Sequence, residues 1–413
     1  MTEALIIDAC RTPRGIGKVG KGALADIHPQ QLAASVLSAL AKRNDLNTAD
    51  VDDIIWGTSS QRGKQGGDLG RMAALDAGYD IKASAMTLDR FCGSGITAVN
   101  IAATSVMSGM EDLVIAGGTE MMSYTASSAD RKSGPFMMDN GNLRLRARHP
   151  QSHQGVCADA VATLEGISRT AVDTLALVSQ QRADAAIKGK HFEKSLVPVY
   201  KEDGTLALDR EEFPRPQTTM EGLSGLKASF EAVADFPLDE QGTTYGGLIR
   251  QVYPDLKITH VHHAGNSSGV VDGAAALLLA SPEYAKKHGL KSRARVVAMA
   301  NMGDSPTLML NAPVPAARKV LEKAGLTLDD IDLFEINEAF SVVAEKFIRD
   351  LKLDRAKVNV NGGAMALGHP IGATGAILVG TILDELERRN LKRGLVTMCA
   401  AGGMAPAIIV ERI

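Results

Sequence analysis

A layered α/β fold built from two related halves is what this sequence predicts, and three observations predict it. Short apolar strand candidates alternate with small-residue helical runs over residues 1–120 and again from residue 283 onward. The second stretch repeats the first: Leu46–Trp56 (LNTADVDDIIW) aligns with Leu326–Ile336 (LTLDDIDLFEI), and Asp50-Val51-Asp52 matches Asp330-Ile331-Asp332 at an offset of 280. Between the two, the composition shifts toward Met, Ser, Arg, Asp and Pro, which marks an inserted and partly helical subdomain. The expected organisation is an N-terminal half over 1–120 completed by 259–282, an inserted loop domain over 121–258, and a C-terminal half over 283–413.

Length agrees with this division, since 413 residues exceed one typical hydrophobic core. A net charge of −3 gives no global attraction for nucleic acid or an anionic membrane, and an aromatic content of 4% suits close packing better than base stacking. The four cysteines, at 10, 92, 157 and 399, show neither CxxC spacing nor clustering with histidine. That argues against zinc and against a disulfide framework, and free thiols imply a reducing, cytoplasmic compartment. No signal peptide is expected over Met1–Arg14, no apolar run nears the roughly 18 residues that span a bilayer, and the C-terminus is not a peroxisomal address.

Taken in order, Ala4–Ala9 reads as a strand. Arg11–Gly20 contains a formal GxGxxG, but Pro13 and three charged residues interrupt it and the next helix starts only near Pro29. An exposed loop is the expectation there, not a dinucleotide cradle. Gln31–Lys42 has helical periodicity, Val51–Trp56 is a strand, and Gly66–Asp76 is a glycine-led helix. Asp89–Ala98 follows, with Cys92 ahead of the turn Gly93-Ser94-Gly95 and of a helix over Ala98–Met107; then comes a strand over Leu113–Ala116 ending in Gly117-Gly118. This alternation predicts a mainly parallel sheet. In the insertion, Val172–Lys188 is the one clear long helix, Arg131–His149 is irregular, and a core element returns over Ser268–Leu279.

The repeat sets the Cys92 turn opposite Gly368–Gly375, and the strand Leu113–Ala116 opposite Leu395–Met398. Two α/β halves packed face to face bring strand-end loops together, which gathers Cys92, His369, Cys399 and Asn337 in one cleft. A cysteine at a helix N-terminus favours the thiolate, and a Cys–His pair is the minimum for an activated nucleophile. Each residue alone has a plainer reading, as a small packed cysteine or a turn histidine. Four polar residues at the strand ends of one repeat point instead to a catalytic centre.

These segments resemble the thiolases, acetyl-CoA C-acyltransferases. The matching pieces are RFCGSG around Cys92, HAGNSSGVVDGAA from His263, NEAF from Asn337, NVNGGAMALGHPIGATG from Asn359 and MCAAGG around Cys399, in the same order along nearly the whole chain. The resemblance implies a five-layered αβαβα fold with an inserted loop domain, assembled as a homodimer or homotetramer. It implies that Cys92 is acylated, that His369 activates it, and that Cys399 handles the α-proton of acetyl-CoA. Asn337, through a water, would form one oxyanion hole with His369, and the backbone N–H groups of Cys92 and Ala401 the other. CoA and acyl-CoA enter as substrates, and no cofactor or metal is expected. By the same carry-over Ser268, His153 and Phe340 would contact CoA and Lys227 its phosphates; a solvated surface lysine is the plain alternative for Lys227.

Three positions depart from the family pattern. Ala401 stands where glycine is usual, Gln154 where methionine is common, and the chain between Phe230 and His260 is long. His260, His262 and His263 follow that stretch, but no carboxylate or cysteine is suitably spaced to complete a metal site. A β-ketoacyl synthase shares the repeat and the cysteine nucleophile, yet lacks a second acid/base cysteine. A silent acyl-CoA or lipid carrier on the same scaffold is the alternative from outside enzymology.

Overall fold

The computed structural model describes residues 3–127 and 137–413, so the part of the Arg131–His149 stretch up to residue 136 lies outside the described residues. The first half runs β1 (Leu5–Arg11), β2 (Gly15–Ile16), α1 (Pro29–Arg43), β3 (Asp53–Gly57), α2 (Leu69–Asp76), β4 (Met86–Leu88), α3 (Ser94–Ser108) and β5 (Leu113–Met121). Helices α4 (Met122–Ser127), α5 (Leu143–Arg148), α6 (Gln154–Leu164) and α7 (Arg169–Lys188) follow. After them come the hairpin β6 (Val199–Tyr200) and β7 (Leu206–Leu208), then α8 (Met220–Ser224), α9 (Glu231–Ala234) and α10 (Tyr245–Arg250). The chain returns through β8 (Val271–Ala280) and α11 (Pro282–His288). The second half is β9 (Ala294–Gly303), α12 (Pro313–Ala324), β10 (Leu333–Ile336), α13 (Ser341–Leu351), α14 (Ala364–Leu367), α15 (Ile371–Arg388), β11 (Arg393–Thr397) and β12 (Met404–Arg412). Helix α6 is a clear helix that the sequence reading did not pick out.

The large sheet has the order β10-β11-β12-β9-β1-β8-β5-β3-β4, with β2 on β8. Its two halves join where Leu5 and Ile6 of β1 face Arg295 and Ala294 of β9. Read outward from that seam, β1-β8-β5-β3 on one side answers β9-β12-β11-β10 on the other, with the same relative directions. The expectation of a mainly parallel sheet is wrong. Among the strands of the described residues, only β3 with β4, β3 with β5, and β10 with β11 run parallel. Helical crossovers do give parallel neighbours, but β12 follows β11 after a link of residues 398–403, too short for anything but an antiparallel return.

Both faces of each half are buried, which is why the strands read as continuous apolar runs. Ile54, Trp56 and Ile115 pack outward against Leu32, Val36 and Ala73 of α1 and α2. Ile55, Val114 and Leu277 pack inward with Ile96 and Val99 of α3, Ile377 and Leu383 of α15, and Val396 and Ile408 of the opposite half. Phe334, Ile336 and Leu395 close the other side against Val320, Val342 and Phe347 of α12 and α13. The layers are thus helix, sheet, helix, sheet, helix. The apolar window Phe91–Ser108 (mean hydropathy 1.2) is long enough to cross a membrane by composition, contrary to the sequence expectation; it is 67% buried, as the central layer demands.

Two glycines let the central helices touch. A Cβ on Gly375 would lie 2.1 Å from the Ile96 nitrogen, and one on Gly95 would lie 2.7 Å from the Ala376 nitrogen. These positions are 280 apart, so the repeat axis passes between them and the N-terminal turns of α3 and α15 meet. Glycines 117 and 118 lie inside β5 and do not end it, for the backbone carbonyls of Ala275 and Gly372 sit where their Cβ atoms would be. The Arg11–Gly20 stretch also differs from the exposed loop expected. Arg11–Gly15 is buried, Gly15–Ile16 pairs with β8, and Arg11 and Arg14 clamp the buried Glu211. Burial alone would raise that carboxyl, but the two guanidiniums bring it down to about 2.

Candidate active site

The Cys92 turn leaves β4 and is clamped from both sides. Asp89 Oδ1 accepts from the Phe91 N–H at 2.6 Å, while Ser94 Oγ accepts from the Arg90 N–H and donates to the Phe91 carbonyl. Phe91 takes φ +50, a left-handed conformation costly for an aromatic residue and a sign of a constrained turn. Cys92 is 6% exposed, just before the Gly93 N-cap of α3. A Cβ on Gly93 would touch the Pro406 ring and come 3.3 Å from Ala400 Cβ, so the turn abuts the loop after Cys399.

That loop turns back at once: Ala400 and Met404 exchange backbone hydrogen bonds, and Gly402 and Gly403 both take φ +77. Ala401 is not among the left-handed residues, so its methyl group costs no backbone strain. Its backbone N–H works to lower the pKa of the Cys92 thiol. Cys399 is 2% exposed, and burial followed by the nearby Cys92 pushes its thiol up. Burial also drives Cys92 up to about 12, with the Glu120 carboxyl adding to it and the N–H groups of Cys92 and Ala401 opposing it. The helix terminus favours the thiolate, and desolvation works against it.

His369 sits between α14 and α15, after Gly368, whose φ of +94 and contact with Val271 exclude any side chain. Its N–H donates to the Gly269 carbonyl at 2.9 Å. Desolvation alone lowers the ring to about 4. Asn337, immediately after β10, presents Nδ2 to His369 Nε2 at 3.4 Å, while its buried Oδ1 has no partner among the described residues. Glu120, fully buried, accepts from the Gly372 N–H at 3.0 Å and from Ser59 and Gln65, tying the α15 terminus to β5. Cys92 thus lies beside Cys399 and Ala401, Asn337 meets His369, and the turns that carry Cys92 and His369 lead into the two central helices that touch at Gly95 and Gly375.

A second group lies alongside. The Ser268 N–H donates to the Ala339 carbonyl and Ser267 bridges Phe340, so the HAGNSSG and NEAF segments run side by side. Phe340 meets Phe230 and His262 edge-on, and His153 lies against Phe230 and Tyr245. His153 also caps α6 through Nδ1, which accepts from the Gly155 N–H. Lys227 is exposed in the loop after α8, on the surface rather than in the cleft.

The three clustered histidines each meet a carboxylate. His260 and His262 hold the two oxygens of Asp159 at 2.7 Å, and His263 reaches Asp173 at 2.8 Å. No group of three or more His, Cys, Asp or Glu among the described residues is arranged to hold a metal ion. A cavity of about 500 Å³ between α7 and α13 reaches Glu338 but is lined by none of Cys92, Ala401, Cys399, Asn337 and His369; polar convergence, not cavity size, marks the site. The sequence reading missed Glu120, Asp159, Asp173 and Thr374. Only Thr374 carried a local signal, as a hydroxyl in the first turn after His369.

Residues 4–235 match the family model described as Thiolase, N-terminal domain, and residues 290–412 match Thiolase, C-terminal domain. The chain belongs to the thiolase family. This thiolase is 39% identical to the β-ketoadipyl-CoA thiolase of Acinetobacter baylyi, over the full length of both chains. It is 39% identical to a steroid 3-ketoacyl-CoA thiolase of Mycobacterium tuberculosis, covering 100% of this chain and 95% of the relative. The crystal structure of the Bacillus anthracis acetyl-CoA acetyltransferase superposes with a TM-score of 0.83 at 33% identity, covering 100% of this thiolase and 99% of that chain. The thiolase is accordingly an acyltransferase enzyme, and the five-layered αβαβα expectation holds.

Proposed function

We propose that the enzyme transfers an acyl group between Cys92 and CoA, cleaving a 3-ketoacyl-CoA to acetyl-CoA and a shortened acyl-CoA or, in the opposite direction, carrying out the Claisen condensation. The observation that carries this reading is that the turn holding Cys92, beside Cys399 and Ala401, and the turn holding His369, beside Asn337, lead into two helices that touch at Gly95 and Gly375. Cys92 and His369 rest uncharged, so the proton moves from sulfur to Nε2 as the sulfur attacks the thioester carbonyl. The N–H groups of Cys92 and Ala401 receive the developing oxyanion, a contribution of about 10²–10³-fold for one such donor. His369 then returns the proton to the departing CoA sulfur.

In the second half-reaction Cys399, having given its proton to His369, takes the α-proton of acetyl-CoA; the carbanion attacks the acyl-Cys92 carbonyl, the Cys92–acyl bond breaks, and the departing Cys92 sulfur takes its proton from His369. Asn337 and His369 face the enolate oxygen. No cofactor enters these steps; CoA and acyl-CoA are the substrates. Ser268, Phe340 and His153 line the CoA approach, and Lys227 would meet its phosphates from solvent. An acyl group bulkier than acetoacetyl fits the names of the β-ketoadipyl-CoA and steroid 3-ketoacyl-CoA relatives and the long stretch after Phe230, which folds as α9 and α10 against α6. Assembly as a homodimer or homotetramer is part of the reading, supported by the open edge strand β4 with Ile81 and Met86 exposed beside it. A reducing, cytoplasmic setting suits four free thiols.

The test is covalent capture. After incubation with acetoacetyl-CoA or a bulkier 3-ketoacyl-CoA and acid quench, peptide mapping by mass spectrometry should find the acyl group on Cys92. Label on Cys10 or Cys157 would overturn the assignment.

A further inference from the structure

We propose that Thr374 is a positioning residue that holds His369 with its proton on Nδ1 and its lone pair on Nε2. Thr374 lies in the first turn of α15 and is 2% exposed. Its Oγ1 is 2.6 Å from His369 Nδ1 and 3.0 Å from the Pro370 carbonyl oxygen. A hydroxyl has one hydrogen; when it goes to the Pro370 carbonyl, which also accepts from the Ala373 and Thr374 N–H groups, a hydroxyl lone pair is left facing Nδ1. Nδ1 must then carry the ring proton. A neutral ring protonated there is bare at Nε2, the nitrogen that the Asn337 amide Nδ2 faces at 3.4 Å. Both neighbours are satisfied by the same tautomer, and it is the one that can receive a proton from Cys92.

Thr374 does this without charge. Among the described residues no carboxylate lies within hydrogen-bond or ion-pair distance of the His369 ring, in contrast to the aspartate of a Ser-His-Asp triad. An aspartate orients the ring and also stabilises the imidazolium; a hydroxyl only orients it. The imidazolium formed when Cys92 attacks therefore stays a strong acid, ready to protonate the departing CoA sulfur. Orientation without charge suits a ring that must take up and surrender a proton within one acyl transfer.

This inference rests on His369 being the proton acceptor of the proposed function, and the experiment separates the two. Thr374→Val keeps the shape and removes the lone pair, and Thr374→Ser restores it. With acetoacetyl-CoA and CoA, Thr374→Val should lose about 10–100-fold in kcat with KM within about twofold, while Thr374→Ser recovers to within about threefold of wild type. In ¹⁵N-histidine-labelled resting enzyme, the His369 resonances (identified by their loss in His369→Asn) should show a protonated Nδ1 and a bare Nε2, and both tautomers should appear in Thr374→Val. An unchanged kcat in Thr374→Val, a Thr374→Ser as impaired as Thr374→Val, or a wild-type ring protonated at Nε2 would each overturn the proposal. The resonances are read without substrate, so a wild type that shows the Nδ1 tautomer but no thiolase activity counts against the functional reading alone.

Discussion

Because burial lowers His369 from 6.5 to about 4, the ring should remain a competent proton acceptor in mildly acidic solution. At pH 5.5 a histidine of ordinary pKa is neutral in only about a tenth of molecules, whereas one titrating near 4 is neutral in nearly all. Exchange of labelled CoA into acetyl-CoA reads the acylation step alone. Between pH 7 and 5.5 it should lose less than about twofold, against roughly tenfold for an unshifted ring. The same shift bears on stability with a definite sign. Between pH 4 and 6.5 the unfolded chain binds a proton at this position that the folded chain does not, so stability falls as pH falls through that window. At about 1.4 kcal/mol per pH unit, the full effect is about 3 kcal/mol. His369→Asn removes the group, so urea denaturation should show the variant gaining about 3 kcal/mol relative to wild type between pH 7 and pH 4. Comparing the two proteins cancels Asp272, whose carboxyl burial raises to about 6 and which titrates in the opposite sense. An exchange rate that halves near pH 6.5, with no pH-dependent gap in stability, would refute the reasoning.

The two active-site cysteines should separate by half-reaction. Cys399→Ala should still exchange CoA at near wild-type rate, because acyl transfer to Cys92 needs no carbon acid, while condensation and thiolysis fall by about 10²–10⁴-fold. Equal loss of exchange and condensation in a folded protein would show the roles to be misassigned. At the helix crossing, Gly375→Ala places a methyl 2.1 Å from the Ile96 nitrogen, a backbone atom that cannot swing aside. Thermal unfolding should report a loss of at least about 3 kcal/mol, or no soluble protein. Gly380→Ala in the same helix, 3.3 Å from the Ala9 methyl, should stay within about 1 kcal/mol of wild type, and similar behaviour of the two variants would remove the crossing as the constraint.

How much of this was legible depended on whether the controlling interaction is local. The strands around Ile54 and Leu333 were visible because apolar run length is a property of a few consecutive residues. Helix α6 escaped because the small residues of Gln154–Leu164 are buried on nearly every side, which leaves little polar face to set a period. Sheet direction escaped for another reason. A strand–helix alternation implies parallel neighbours only where the next strand pairs beside the last, and β8 returns from the insertion to pair between β5 and β1.

The sequence by itself determined the two-fold architecture and singled out Cys92, His369, Cys399 and Asn337 at the strand ends of the repeat. An offset of 280 relates the Asp50 and Asp330 turns and also the glycines of the crossing, and it sets the Cys92 turn against the His369 turn. Repetition is a relation between letters, and packing need not be known to see it. The tertiary structure alone decided the chemistry of those residues. Cys92 rests as a thiol and not a thiolate because the protein around it removes water, and no residue type states how much water its neighbours will exclude. The partners of His260, His262 and His263 lie on α6 and α7, some 90–103 positions away in the chain. The hydroxyl that faces His369 is only five residues on, yet its orientation follows from where α15 begins and how its first turn packs. Desolvation and hydrogen-bond direction depend on three-dimensional neighbours, and so they appear only once the chain is folded.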